Sequence, residues 1–378
     1  MNDPTTVIGW SQDEHGPQDD RWPADPAVAS LFIELEENAV SRCMLAVVTM
    51  LVAGAAAAMM DDIRTYAYVT NEGSGTVSVI DVATHRVTGT MKVGDRPRGI
   101  AASPDGSRLY ISDQGGRLIE RDIFMSMESG SVMLAHSPDA VHFDLDGKLL
   151  AVALEESNSI ALVDPAYMKV VKTIAMHGKN PEHAVFSPNG RWIYASAEEG
   201  DSVDVIDVAK GEVVKVIEVG ARPRGIGFLP DSSRAYVAAE NANQVAVIDV
   251  ARQEVVARIE AASRANGITV HPDGKRVFVS AGGAGVVQVL DTTTNRVVAE
   301  AEVGQRPWNM ALTPDGKQLY VACGGSNEVS VIDTTTYKSV ARIPVGTRPW
   351  GVVIRPRPDL PAEPVEQGAR PRRGQASD

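Results

Sequence analysis

Cysteine is nearly missing from this chain, which has two among 378 residues, Cys43 and Cys323. With the first lying beside an apolar run that processing would remove, the second has no partner, and a disulfide framework is excluded. No Cys-x-x-Cys-His occurs, so a covalently attached c-type heme is excluded as well. Neither a Gly-x-Ser-x-Gly elbow nor a Gly-rich phosphate loop is present. Aromatic residues make up only 5%, so any core must be built from Val, Ile, Leu and Ala. Basic charge is in deficit, with 36 Lys and Arg against 49 Asp and Glu, which leaves no electrostatic footprint for nucleic acid. Nine of those acids, against two bases, fall within residues 1–43, so the rest of the chain is only mildly acidic.

A long apolar run is also lacking. The segment Met44–Ala58, MLAVVTMLVAGAAAA, is too short to span a bilayer. It reads as a signal-peptide h-region ending in a small-residue cleavage site, with Arg42 as the positive flank. The acidic residues 1–43 are out of place ahead of such a signal, and are expected to be a doubtful or disordered upstream segment, translation starting at Val40 or Met44. The competing reading is an internal membrane-anchoring segment behind a polar tail. Export implies a periplasmic or secreted protein, without stable membrane insertion after cleavage.

What the chain does have is a period. Gly-x-Arg-Pro recurs with its proline at 97, 223, 307 and 349, and Lys-Asn-Pro places another at Pro181, all separated by 42 residues or multiples of 42. Asp139 and Ala265 fill the two empty marks of that series. A Pro-Asp-Gly type of turn recurs at Asp105, Asp146, Asn189, Asp231, Asp273 and Asp315. An aspartate closes an apolar run seven times, at Asp81, Asp122, Asp164, Asp207, Asp249, Asp291 and Asp333.

Each unit resolves into four short strands whose connections are too short to hold a helix, so neighbouring strands must pair antiparallel. A repeated four-stranded sheet of about 40 residues is a propeller blade. The first unit lacks its opening strand, which turns up instead at the C-terminus as Trp350–Pro356. The expected fold is therefore an all-β, seven-bladed β-propeller over residues 66–356, its first blade closed by the C-terminal strand. Residues 357–378, rich in Pro, Arg and Glu, are expected to form a disordered tail.

Tyr68-Val69-Thr70-Asn71, with its variants at Tyr110, Tyr236 and Tyr320, resembles the name-giving motif of the YVTN β-propeller family. Within that family the Arg-Pro-Trp-Gly-Val ending is similar to propellers associated with pyrroloquinoline-quinone-dependent alcohol catabolism. The resemblance implies an exported protein whose partner is a periplasmic dehydrogenase, its cytochrome or a transporter component, and it implies no cofactor of the propeller's own.

Candidate ligand- or partner-binding residues follow from where the repeat is broken. The Arg-Pro loops ring one mouth of the channel, and the next residues in blade order are Arg98, Ala140, Glu182, Arg224, Asn266, Trp308 and Trp350. His183 and Asn309 then stand where other blades have a small glycine. The two tryptophans read either as a platform for a planar or anionic ligand or as a plug packed on the loops. Arg96, Arg222, Arg306 and Arg348 are expected to bridge neighbouring loops. The seven aspartates are expected to cap turns. Glu155-Glu156 and Glu198-Glu199 are expected to be solvated, and Met125, Met127 and Met133 to fill core. His177, Glu182 and His183 are the only cluster with a metal-site look, at a spacing that matches no familiar ligand pattern.

No catalytic group is assembled by these patterns. The favoured function is accordingly a non-catalytic exported propeller binding a partner protein or small molecule, accessory to quinoprotein alcohol oxidation or linked transport. The alternative is a lactonase-like hydrolase with a channel-mouth metal site built around Glu182, His183 and Asn309.

Overall fold

The computed structural model describes residues 63–358, and the expectations for residues 1–43, 44–58 and the far C-terminal tail fall outside them. Twenty-eight strands form seven four-stranded antiparallel sheets, so the expected seven-bladed propeller is present. The first sheet has the order β28-β1-β2-β3, from Pro349–Pro358, Ile63–Asn71, Thr76–Asp81 and Arg86–Lys92. The C-terminal strand thus closes the first blade, its Val353 opposite Tyr68 and its Ile354 opposite Ala67. Both strands extend past the expected limits, reaching Ile63 and Pro358.

The other six blades each run outward from an inner strand: β4 (Pro97–Ala102), β8 (Pro138–Phe143), β12 (Pro181–Phe186), β16 (Pro223–Phe228), β20 (Ala265–Val270) and β24 (Pro307–Leu312). The second strand of each blade is buried on both faces, as in Leu150–Leu154, whereas the outermost strand alternates exposed and half-buried residues. Core lies between blades. At the seam, Ala67, Val69 and Ile80 of the first blade pack with Tyr320, Val329 and Val331 of the last.

The repeated residues carry this architecture. All seven strand-ending aspartates accept backbone N–H groups of the turn that follows, as Asp291 Oδ1 does from Thr294 N at 2.7 Å. Thr70, third residue of Tyr-Val-Thr-Asn, accepts from Gly351 N at 2.9 Å and donates to the Arg98 carbonyl at 2.6 Å. Ser112 and Ser280 make the same bridge between adjacent inner strands. The small hydroxyl after Tyr-Val is therefore the stitch that joins one blade to the next.

The loops entering the inner strands hold Arg222, Arg264, Arg306 and Arg348 at φ of 59°, 61°, 50° and 53°. Left-handed backbone is costly for a residue with a Cβ. It is offset by a hydrogen bond to the same backbone N–H: Asp201 receives Arg222 N, Asn243 receives Arg264 N and Asn327 receives Arg348 N, at 2.8–3.0 Å. The loops are thereby fixed, and so are the arginine side chains they present. One expectation fails here: Met125, Met127 and Met133 are 72%, 53% and 66% exposed and fill no core. They lie on the outer edge of the second blade, where a side chain meets solvent rather than the neighbouring sheet.

Candidate functional site

At the Arg-Pro mouth the first residue inside each inner strand is Arg98, Asp139, Glu182, Arg224, Asn266, Trp308 and Trp350. Ala140 was expected in that ring. The strand starts instead at Pro138, because the irregular second unit is one residue short, and Asp139 takes the place.

Blades one to five supply a network of charge. Arg98 reaches Glu72 at 3.4 Å, Asp139 at 3.0 Å and Glu155 at 3.5 Å. Arg224 contacts Glu182, and reaches Glu198 at 3.1 Å and Glu240 at 2.7 Å. Arg96 and Arg348 pair with Glu72, and Arg222 with Glu198 and Glu240, so these three bridge loops as expected. Arg306 instead lies 5.3 Å over the ring of Trp308.

Glu155 and Glu198 were expected to be solvated. Glu198 is buried and both are ion-paired, because the residue after each second strand turns inward over the mouth. The sequence carries a signal for this: glutamate stands at that position in four blades, at 72, 155, 198 and 240, and glycine in two, at 282 and 324. Where glycine stands, Trp308 packs down instead, its Cζ3 within 2.8 Å of where a Cβ on Gly324 would lie. The mouth therefore has a charged arc and an aromatic–amide arc, the latter made by Trp308 and the buried Asn266.

Burial splits the protonation of the acids. Glu72 and Glu240 are pulled up by burial, yet their arginines outweigh it and hold both below the ordinary carboxylate range. Burial pushes Asp139 well up despite Arg98. Burial, and then the charge of Glu182, push Glu198 up to about 7. Near neutrality the mouth thus holds a carboxyl that gives and takes a proton readily.

Below the ring lies a cavity of about 90 Å³ bordered by His142, His183, Asn309, Met310 and Trp350. His142 Nε2 and His183 Nδ1 are 3.2 Å apart, sharing one proton between two imidazoles. Trp350 stacks on His183 from across the channel, centroids 6.1 Å apart and planes 16° apart, while the buried His183 Nε2 has no partner. Burial and Arg224 push His183 down to about 3, so it is neutral. His177, which has a metal-site look in the sequence, takes no part in the pair: it is exposed and bonds through its backbone to Asp204. Among the described residues no three His, Cys, Asp or Glu side chains converge as a metal site. His142 was missed because the fifth position of the inner strand varies among the blades, as Ala101, Val185 and Thr269 show, so no departure from a repeat marks it. Of the two tryptophans, Trp350 plugs the channel and Trp308 packs on the loops.

Residues 145–349 match the family described as Cytochrome D1 heme domain, more than half of the chain. The chain belongs to that family. Residues 58–216 of this D1-type propeller also match the family described as Lactonase, 7-bladed beta-propeller. Its fold is similar to Kuenenia stuttgartiensis hydrazine synthase, at TM-score 0.66 and 26% identity over 71% of this chain and 92% of that one. It is similar to a functionally unknown protein from Desulfotomaculum acetoxidans, at TM-score 0.68 and 17% identity over 76% and 98%. It is also similar to the dihydro-heme d1 dehydrogenase NirN in complex with DHE, at TM-score 0.59 and 15% identity over 76% and 74%. These two identities speak for the fold alone. A further stretch of 37 residues is 60% identical to the PE-PGRS family protein PE_PGRS18 of Mycobacterium tuberculosis, covering 10% of this chain and 8% of that protein.

These matches overturn the expectation of a non-catalytic binding propeller, since they fall on heme-domain and lactonase families and on a protein named as a synthase. The link to quinone-dependent alcohol catabolism is carried by none of them. The family name implies a heme. His183 Nε2 is the right type of atom for an axial ligand. The space is wrong: sites for drug-sized ligands run to roughly 300–1,000 Å³, against about 90 Å³ here, with Trp350 stacked on the one unpartnered imidazole. The residues present do not fit a heme inside this channel.

Proposed function

We propose that this D1-type propeller is a lactonase-like hydrolase that opens a small anionic cyclic ester at its Arg-Pro mouth. The observation that carries the reading is the shared guanidinium: Arg224 Nη1 contacts both Glu182 and Glu198, and Glu198 is pushed up to about 7. Arg98 and Arg224 are 19% and 15% exposed, which leaves each an edge toward an incoming anion. The lactonase-family match spans Arg98, Glu182, His183 and Glu198.

In this reaction water adds to the carbonyl carbon and the ring C–O bond breaks. The proton on Glu198 passes to the departing ring oxygen, and the proton lost by water returns to the Glu182–Glu198 pair. One water is consumed and one hydroxy acid is formed. The metal once attached to this alternative is not part of the scheme, because the mouth carboxylates are engaged by arginines. Export belongs to the proposal too: the Met44–Ala58 segment supports a periplasmic or secreted enzyme, which N-terminal sequencing of the mature protein tests.

Acid release from a panel of five- and six-membered lactones tests the reaction. Turnover that falls about 100-fold or more in Glu198→Gln, with KM little changed, is the expected result. Absence of turnover across the panel, or full activity in the variant, would refute it.

A further inference from the structure

The opposite mouth of the channel holds a recess of about 510 Å³, on the side of the first four blades. Part of its wall is apolar, made by Ile100, Val141, Phe143, Phe186 and Val352, with the 74%-exposed Leu145 at its rim. Arg355, in the closing strand β28, also lines it.

Arg355 differs from the arginines of the Arg-Pro mouth. Arg98 and Arg224 touch three carboxylates each. Among the described residues Arg355 has no ion pair, its Nε is buried without a partner, and its Nη1 makes one long contact of 3.4 Å with the Ile354 carbonyl. Burial lowers its proton affinity with no opposing charge to restore it. Asp144, the one acid on the wall, faces its own loop, where its Oδ1 accepts from Lys148 N at 2.7 Å and Leu149 N at 3.0 Å. His142, which separates the recess from the channel cavity, is neutral as a result of burial.

A half-buried guanidinium with one long carbonyl contact and no carboxylate among the described residues is costly, and a bidentate carboxylate is the partner its fork fits best. The volume and the aliphatic and aromatic lining suit a flat apolar body attached to that carboxylate. We infer that this recess is a binding site for an apolar monocarboxylate, the acid group held by Arg355 and the body lying on Ile100, Phe143 and Phe186. The site is at the other end of the channel from the Glu198 mouth and does not depend on the hydrolase reading.

Calorimetric titration of the full chain with 2-naphthoate, beside its neutral counterpart 2-naphthalenemethanol, tests the site without reference to any turnover. The acid is expected to bind about tenfold or more tightly than the alcohol, and to lose about tenfold or more in Arg355→Met. Leu145→Glu, at an exposed position that does not threaten folding, should weaken the acid several-fold while sparing the alcohol. Equal affinity for acid and alcohol would overturn the inference, as would undiminished binding of the acid by Arg355→Met. So would an absence of binding heat with 2-naphthoate at about 5 mM.

Discussion

The indole of Trp350 lies parallel to the imidazole of His183 across the channel, 6.1 Å between centroids. One ring comes from the strand that closes the first blade and the other from the fourth blade, so the channel is stoppered by two elements far apart in sequence. Trp350 is 6% exposed, and its removal opens the cavity to water. Trp350→Ala should therefore cost about 3–5 kcal/mol in chemical denaturation. The same change should lift the His183 pKa from about 3 toward the ordinary imidazole value, since burial is the main cause of the depression. Imidazole resonances followed by NMR through pH 3–8 read that directly. An unmoved His183 in a folded variant would show that Trp350 does not seal the site.

Among the described residues Arg98 is the only link that touches Glu72, Asp139 and Glu155 together, and the first two are 1% exposed. Taking away one partner of a buried ion network leaves the others unpaired, a loss of about 3–5 kcal/mol. Arg98→Met should show that loss. Asp139→Asn in the same chain should restore part of it, with a coupling of at least about 0.5 kcal/mol in a double-mutant cycle. Additive effects would mean that the two side chains do not depend on each other.

The fold was legible because its determinants repeat. Seven strand-ending aspartates cap turns, Arg-Pro closes four loops, and the hydroxyl at the Tyr-Val-Thr position stitches blades at Thr70, Ser112 and Ser280, so spacing alone reveals them. The site was legible only in outline. Arg98, Glu182, His183, Arg224 and Trp350 were found because they break the repeat at the mouth. Glu198 and Glu155 were missed because a Glu-Glu pair in a loop looks solvated, and only the ring geometry brings Arg224 and Arg98 over them. His142 was missed because its partner His183 is one blade away, a relationship no local pattern encodes.

Glu198 gives the protein a pH dependence of definite sign. Its folded pKa, about 7, is above the value of 4.5 for a free side chain. The folded state therefore binds the proton more tightly, and stability from this group is full below pH 4.5 and lost as pH rises through 7. His183 acts oppositely: pushed down to about 3 from 6.5, it lowers stability as pH falls below 6.5. The two overlap in the wild-type chain, so the difference between wild type and Glu198→Gln isolates the acid. Relative to the variant, the wild type should lose about 1–3 kcal/mol between pH 5 and 8 in urea titrations. Parallel stability curves would place the Glu198 proton elsewhere.

Closure of the ring makes the chain end decisive for stability. The strand β28 pairs with β1 from Ile63 to Asn71 and buries Trp350, Val352 and Ile354 between the first blade and its neighbours. It also presents Gly351 N to Thr70, the stitch between inner strands at the seam. A chain ending before Pro349 loses all of this, because β1 becomes an unpaired edge and the inner strands β24 and β4 lose the strand that lies between them. Such a chain should lose its cooperative thermal transition or melt at least about 10 °C lower, at about 2–4 °C per kcal/mol. A chain ending after Pro358 keeps every described strand and should melt within about 2 °C of the full protein, a change worth no more than about 1 kcal/mol. Differential scanning calorimetry on the three chains decides the matter. Equal melting temperatures for the two truncations would mean that the ring does not need its closing strand.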